Sequence, residues 1–339
     1  MKRWLRSAGV RVAGALFGAA LFFFPAGCSR TPTPSREGPF QVAASIFPLA
    51  DAARVVGGEN VTVTTLLPAG RSPHGYQLKP RQVEAVASAR LLLVVGLGMD
   101  EWAEQAARVG GGRLEVLRMA DVVGAEPLAP APEAPPAAGG TAPRGHPPGA
   151  AEHKHHHTGP DPHFWLDPVL MRRFVKALGG KLARLDPENA ARYRRRQKAY
   201  EEQLERLHED YSRTLAAARR REFVSFHSAF TYTAARYGLE QMAVLEAGRG
   251  EISARHLEEV IEFIRRKRVK VVFAEPQFPA DKLLVIRRET GAAVGVLDPL
   301  GNPEEPGRDS YLALMRTNLA VLAEALECED VSPASRPAP

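Results

Sequence analysis

Residues Asp186 to Arg219 read DPENAARYRRRQKAYEEQLERLHEDYSRTLAAAR, a long polar stretch whose apolar positions are sparse: Tyr193, Tyr200, Leu204, Leu207, Tyr211 and Leu215. Asp186 is placed to cap a helix, with Pro187 at its first position, so the pattern predicts one helix across the whole stretch. About 30 residues at 1.5 Å each would span about 45 Å. A helix this polar is not buried all round, and between two apolar-rich regions it reads as a strut joining two lobes. Its Arg194-Arg195-Arg196 run and Arg219-Arg220-Arg221 sit among glutamates without stacking aromatics, which marks solvated helix surface rather than a nucleic-acid contact.

On either side of the strut, short apolar runs alternate with helical patterns. Before it, Gln41 to Ile46, Val61 to Leu67, Leu91 to Val95 and Leu114 to Leu117 read as strands. Helical stretches fall around Leu49 to Val56 and Pro80 to Ala89, and from Pro168 to about Leu185. After it, Phe223 to Phe226, Met242 to Leu245, Val269 to Phe273 and Ala293 to Leu297 read as strands. Helices are expected at about Ala229 to Tyr237, Ala254 to Arg268, Pro279 to Thr290 and Ser310 to Leu326. Such alternation argues an α/β fold with mainly parallel sheets. The expectation is two βα lobes, residues 40–185 and 220–328, joined by a helix over 186–219, with a cleft between them.

Two segments stand outside this pattern. Ala125 to Pro160 holds 9 of the chain's 28 prolines and 5 of its 10 histidines, His146, His153, His155, His156 and His157, and has no apolar periodicity. It reads as a loop without a core of its own, and its histidines as an accessory metal-capturing tract. At the start, Lys2, Arg3, Arg6 and Arg11 precede a run of 13 apolar or small residues, Val12 to Phe24. A membrane-crossing helix needs roughly 20, so residues 1–27 read as a signal peptide. Without its four cations the formal charge of +6 would fall to about +2, and the basic balance implies no acidic partner. Residues 28–39 are rich in Pro, Ser and Thr and read as a tether, and residues 329–339 as a disordered tail. Cys28 and Cys328 are the only cysteines, too few for a disulfide framework.

Candidate ligands fall beside the strand ends. His74 follows the strand ending at Leu67, His227 directly follows Phe226 and Asp298 directly follows Leu297, while His163 precedes the helix that begins near Pro168. Open parallel sheets bind ligands at the carboxyl ends of their strands, and three imidazoles with one carboxylate suit tetrahedral Zn²⁺. His208 and His256, on helical patterns among charged neighbours, read as structural.

The segments GRSPHGYQLKP (Gly70 to Pro80), DPHFWLDP (Asp161 to Pro168), FHSAFTYTAARYGL (Phe226 to Leu239), FAEPQF (Phe273 to Phe278) and LDPLG (Leu297 to Gly301) resemble the metal-binding solute-binding proteins of bacterial ABC importers, in particular the zinc-type, ZnuA-like branch. The resemblance runs from about Phe40 to Leu326. It implies a long rigid helix between the lobes, a metal in the interlobe cleft, and delivery of Zn²⁺ to a transmembrane ABC permease by a monomeric receptor. It also implies that His74, His163 and His227 are metal ligands and Asp298 the fourth. Because Pro73 stands where some zinc members have an acidic ligand, the fourth position falls to Asp298 or water. Ser228 stands where many members have Asp after the third histidine. Glu275 is expected to orient a ligand histidine. Pro25-Ala26-Gly27-Cys28 resembles a bacterial lipoprotein processing site, which implies lipidation at Cys28 and a receptor held at the outer face of the cell membrane or in the periplasm.

Three other readings compete. A manganese receptor of the same family would favour a carboxylate at the third position, where this chain has His227. A zinc-dependent hydrolase would need an open coordination position and a base, for which Glu275 is a candidate, but the sequence has no HExxH, GxSxG or Walker A motif. An adhesin would suit a lipid anchor equally well. The expectation is a non-enzymatic zinc receptor.

Overall fold

The computed structural model describes residues 38–109, 114–124, 161–245 and 252–329. The signal segment, Cys28, the tether up to residue 37, the histidine-rich tract and the tail beyond residue 329 lie outside these.

In the N-terminal lobe, β1 (Phe40–Ala44), β2 (Val61–Thr65), β3 (Leu91–Val94) and β4 (Glu115–Arg118) form a parallel sheet in the order β2-β1-β3-β4. β1 is central, its Ala44 in register with Thr65 on one side and Leu93 on the other. β3, LLLV, is buried at every position, the unbroken apolar run of a strand covered on both faces. Helices α1 (Phe47–Gly57), α2 (Pro80–Ser88), α3 (Glu101–Val109) and α4 (Met119–Val123) belong to this lobe.

Helix α5 (Pro168–Leu185) leads to α6 (Ala190–Ala216). Asp167 caps α5 by accepting from Val169 N–H at 2.8 Å, with Pro168 in the first turn, where its missing N–H is no loss. The 27 residues of α6 run about 40 Å. Its buried residues are Tyr193, Tyr200, Leu204, Leu207, Tyr211 and Leu215, the same six that the sequence marks as a sparse apolar stripe. The helix starts later than the capping signal predicts, because Pro187–Asn189 first forms a 3₁₀ turn.

The C-terminal lobe repeats the plan. β5 (Glu222–His227), β6 (Glu240–Leu245), β7 (Val271–Ala274) and β8 (Ala293–Val296) form a parallel sheet in the order β6-β5-β7-β8, with α7 (Thr231–Tyr237), α8 (Ala254–Lys267) and α9 (Leu284–Thr290). The last helix, α10 (Tyr311–Ala325), packs back on α6 and α1. In each sheet the chain runs from a central strand to one side and then crosses to the other. A crevice therefore opens at the carboxyl ends of β1 and β3, and of β5 and β7.

One apolar core runs through both lobes and the strut: Val42, Leu93, Phe174, Tyr200, Leu207, Phe223, Phe273 and Tyr311 belong to a single buried cluster. Tyr211 Oη donates to Met315 O at 2.7 Å, and Tyr311 N–H to Asp51 Oδ2 at 2.9 Å, which ties α10 to α6 and α1. A second cluster, with Val224, Phe263 and Ile286, lies beneath α8 and α9. The lobes are thus joined through packed side chains as well as through the chain. Among the described residues, no helix is long and apolar enough to cross a membrane. Cys328 is a free thiol, bridged through its backbone to Ala218.

Candidate metal centre

His74 lies on the loop from β2 to α2. Beyond β2 the chain stays beside β1, with Leu66 N–H donating to Ala44 O at 2.8 Å and Leu67 N–H to Ser45 O at 2.9 Å. The loop then turns outward through Gly70 and Gly75, both at left-handed φ near +70°, where a side chain would be strained. Its return is pinned from α3, where Trp102 Nε1 donates to Pro73 O at 2.9 Å and the Trp102 ring meets that of Tyr76 edge-on.

His163 sits in the turn before α5, beside Asp161. One Asp161 oxygen accepts from the His163 backbone N–H at 2.9 Å and faces its Nδ1 at 2.7 Å. His227 ends β5, and Glu275, just after β7, repeats the arrangement from the neighbouring strand: Glu275 Oε1 lies 3.0 Å from His227 N and 2.6 Å from its Nδ1. A carboxylate only accepts, so both Nδ1 atoms carry the proton and both Nε2 atoms present a lone pair.

Those lone pairs meet. His74 Nε2 is 3.4 Å from His163 Nε2, and His227 Nε2 is 3.3 Å from it. The three histidines offer ligand atoms that all lie within 4.8 Å of one another. Desolvation, then the neighbouring His163 and His227, lower the pKa of His74 to about 3, and burial also lowers that of His163 against the opposing pull of Asp161. Burial works against ionisation of Asp161, but its bonds to His163 outweigh this and hold its pKa below the usual value. Imidazoles with converging Nε2 atoms form a site that a cation completes.

The pocket around them is lined also by Pro73, Trp165, Phe278, Pro299 and Leu300. The Phe278 ring also meets the His227 ring at 5.5 Å.

Asp298 departs from the four-ligand expectation. It follows β8 as the sequence implies and is buried, but it is not one of the converging groups. Its Oδ1 accepts from Leu300 N–H at 3.0 Å, Gly301 N–H at 3.1 Å and Gln277 Nε2 at 3.0 Å, which fixes the turn after the strand. Its Oδ2 faces Arg308 Nε at 3.9 Å. Glu275 stands beside a histidine as expected, and the support that Ser228 cannot give His227 comes from it. Asp161 was not anticipated; the available signal was a carboxylate two residues before a ligand histidine. Of the other two histidines among the described residues, His208 faces Tyr237 Oη and His256 faces Ala243 O.

A family model described as the zinc-uptake complex component A, periplasmic, matches residues 42–325. The chain belongs to this family. A Treponema pallidum relative, called a putative metal-binding protein, is 28% identical over 313 residues, covering 89% of this chain and 92% of its own. The high-affinity zinc uptake system protein ZnuA of Bacillus subtilis is 26% identical over 316 residues, covering 91% and 95%. A solved structure of ZnuA superposes with a TM-score of 0.70 at 26% identity, covering 85% of this chain and 100% of that one. As a member of the zinc-uptake family, the protein is an extracytoplasmic component of an uptake system, and its two parallel-sheet lobes and long helix are the fold of that family.

Proposed function

We propose that the protein captures Zn²⁺ between its lobes through Nε2 of His74, His163 and His227 and passes it to the permease of an ABC importer. The observation that carries this reading is the nitrogen spacing. Ligands 2.0–2.1 Å from a tetrahedral ion stand roughly 3.3–3.4 Å apart, and His163 Nε2 lies 3.3 Å from that of His227 and 3.4 Å from that of His74. Three nitrogen donors favour zinc over manganese, which prefers oxygen.

The fourth position goes to a water molecule rather than to Asp298, whose Oδ1 already accepts three hydrogen bonds. Glu275 is engaged with His227 and is not free to act as a base. The receptor works as a monomer, tethered through lipid on Cys28, with His146, His153, His155, His156 and His157 as an accessory zinc-collecting tract. Calorimetric titration of the metal-free protein tests the site: one zinc per chain, lost on His163→Ala, is expected. Zinc binding that ignores His163 would contradict it.

A further inference from the structure

The turn after β7 brings two polar side chains to the metal pocket. Phe278 N–H donates to Glu275 O at 3.1 Å, which closes residues 275–278 into a single turn. Glu275 holds His227, and Gln277, two residues on, lines the same pocket as His74, His163 and His227. Gln277 Nε2 donates to Asp298 Oδ1 at 3.0 Å. That oxygen also accepts from the backbone N–H groups of Leu300 and Gly301, so the end of the Gln277 amide that meets it is the NH2 group, and the other end is the oxygen. Asp298 is itself fixed. Its N–H donates to Asn318 Oδ1 at 3.1 Å and its carbonyl accepts from Asn318 Nδ2 at 2.7 Å, with both residues at most 2% exposed. The orientation of the Gln277 amide is therefore set from Asn318 through Asp298. Gln277 Oε1 is buried, and it accepts no hydrogen bond from the described residues. A buried acceptor is costly to leave unpaired, and in a binding pocket the missing donor belongs to what the pocket binds.

We infer that Gln277 Oε1 accepts a hydrogen bond from the water molecule at the fourth position of the ion, so that the site selects a neutral, proton-donating ligand there and rejects an anion. This rests on the zinc reading above and deepens it. A water bound to Zn²⁺ keeps two protons to donate, and the ion makes it more acidic and a stronger donor than bulk water. Zinc takes nitrogen, sulfur and carboxylate oxygen from proteins, and a neutral amide oxygen is not among these, so Gln277 acts through the water and is a positioning residue. An anion at the fourth position has no proton to offer Oε1 and meets its partial negative charge instead. The same geometry gives Asp298 a task that fits its place outside the converging ligands: it holds the NH2 end of the amide and leaves the oxygen for the water.

Two measurements test this. In a crystal structure of the zinc-loaded wild type, the expected finding is a water about 2.0–2.2 Å from the ion and about 2.5–3.0 Å from Gln277 Oε1. Direct binding of Oε1 to the ion, Asp298 in the fourth position, or a water that leaves Oε1 unpaired would overturn the inference. In solution, Gln277→Met keeps the length and the unbranched shape but offers only a weak acceptor. Co²⁺ takes the place of zinc, its visible absorption reporting the coordination, and azide competes with the water. Azide is expected to bind the Co²⁺-loaded variant about tenfold more tightly than the Co²⁺-loaded wild type. Zinc affinity of the variant should fall about tenfold, as for other outer partners of metal sites. A merely structural role for Gln277 would lower the melting temperature of the metal-free protein and leave the azide constant unchanged, and that unchanged constant would overturn the inference. Should Gln277→Met not fold, the zinc-loaded wild-type structure decides alone. Failure of the zinc reading itself looks different, since no ion would then lie between the three histidine Nε2 atoms, and the inference would fall with it.

Discussion

Glu275 grips His227 twice, one carboxylate oxygen lying 2.6 Å from the ring Nδ1 and 3.0 Å from the backbone N–H of the same residue. The two residues come from adjacent strands, and their registration on β5 and β7 aims Nε2 into the cleft. Replacing Glu275 with Gln keeps the size and one accepting oxygen but removes the negative charge that strengthens the grip on the imidazole N–H and raises the basicity of Nε2. Zinc affinity is expected to drop about 10–100-fold with the melting temperature of the metal-free protein little changed, as read by competition with a chromophoric chelator. Unchanged affinity would show that Glu275 does not orient His227.

Metal preference should follow the third ligand. In His227→Glu the site becomes two nitrogens and a carboxylate, and zinc binding should weaken relative to manganese. Parallel titrations with the two metals measure the ratio, and an unaltered ratio would count against donor softness as the basis of choice.

Asp298→Asn separates a ligand from a turn-former. The amide oxygen of Asn can still accept from Leu300 and Gly301, so affinity should stay within a few-fold of wild type. A loss of about a hundredfold, or about 2.7 kcal/mol, would make the carboxylate a direct ligand.

Asp51 supplies a pH prediction away from the metal. Burial raises its pKa above the ordinary carboxylate value of 3.8, against the lowering effects of the Tyr311 N–H and Arg54. The folded state therefore holds the proton more tightly than the unfolded state. The stability this group contributes is complete below 3.8 and is lost as pH rises through the folded value. At pH 7.5 the charged carboxylate is a liability, so Asp51→Asn, which can still accept from Tyr311, should melt higher than wild type. The gap should close as pH falls towards 4. A lower melting temperature for the variant at pH 7.5 would show that the charge on Asp51 is favourable.

Much of this was legible in the sequence, for identifiable reasons. The six apolar positions of α6 stood out because nothing around them is apolar, and the strands of both lobes because a buried parallel strand is a short run such as LLLV. The short helices α3 and α4 were not read: in EWAEQAARV, alanines fill much of the inward face and give almost no apolar period. His74, His163 and His227 could be marked because each lies at a strand or helix end beside Pro or within an apolar run. The hydrogen bonds of Asp298 were not legible, since position after a strand does not reveal whether a carboxylate points at the cleft or ties its own turn.

The central claim is a zinc site made by three histidines from the two lobes, and calorimetry tests it most directly. The metal-free mature protein would be titrated with Zn²⁺ beside His227→Ala and a deletion of Gly145 to Thr158. One tight site that survives the deletion and collapses in His227→Ala is the predicted result. Tight binding that disappears with the deleted tract and is indifferent to His227 would contradict it.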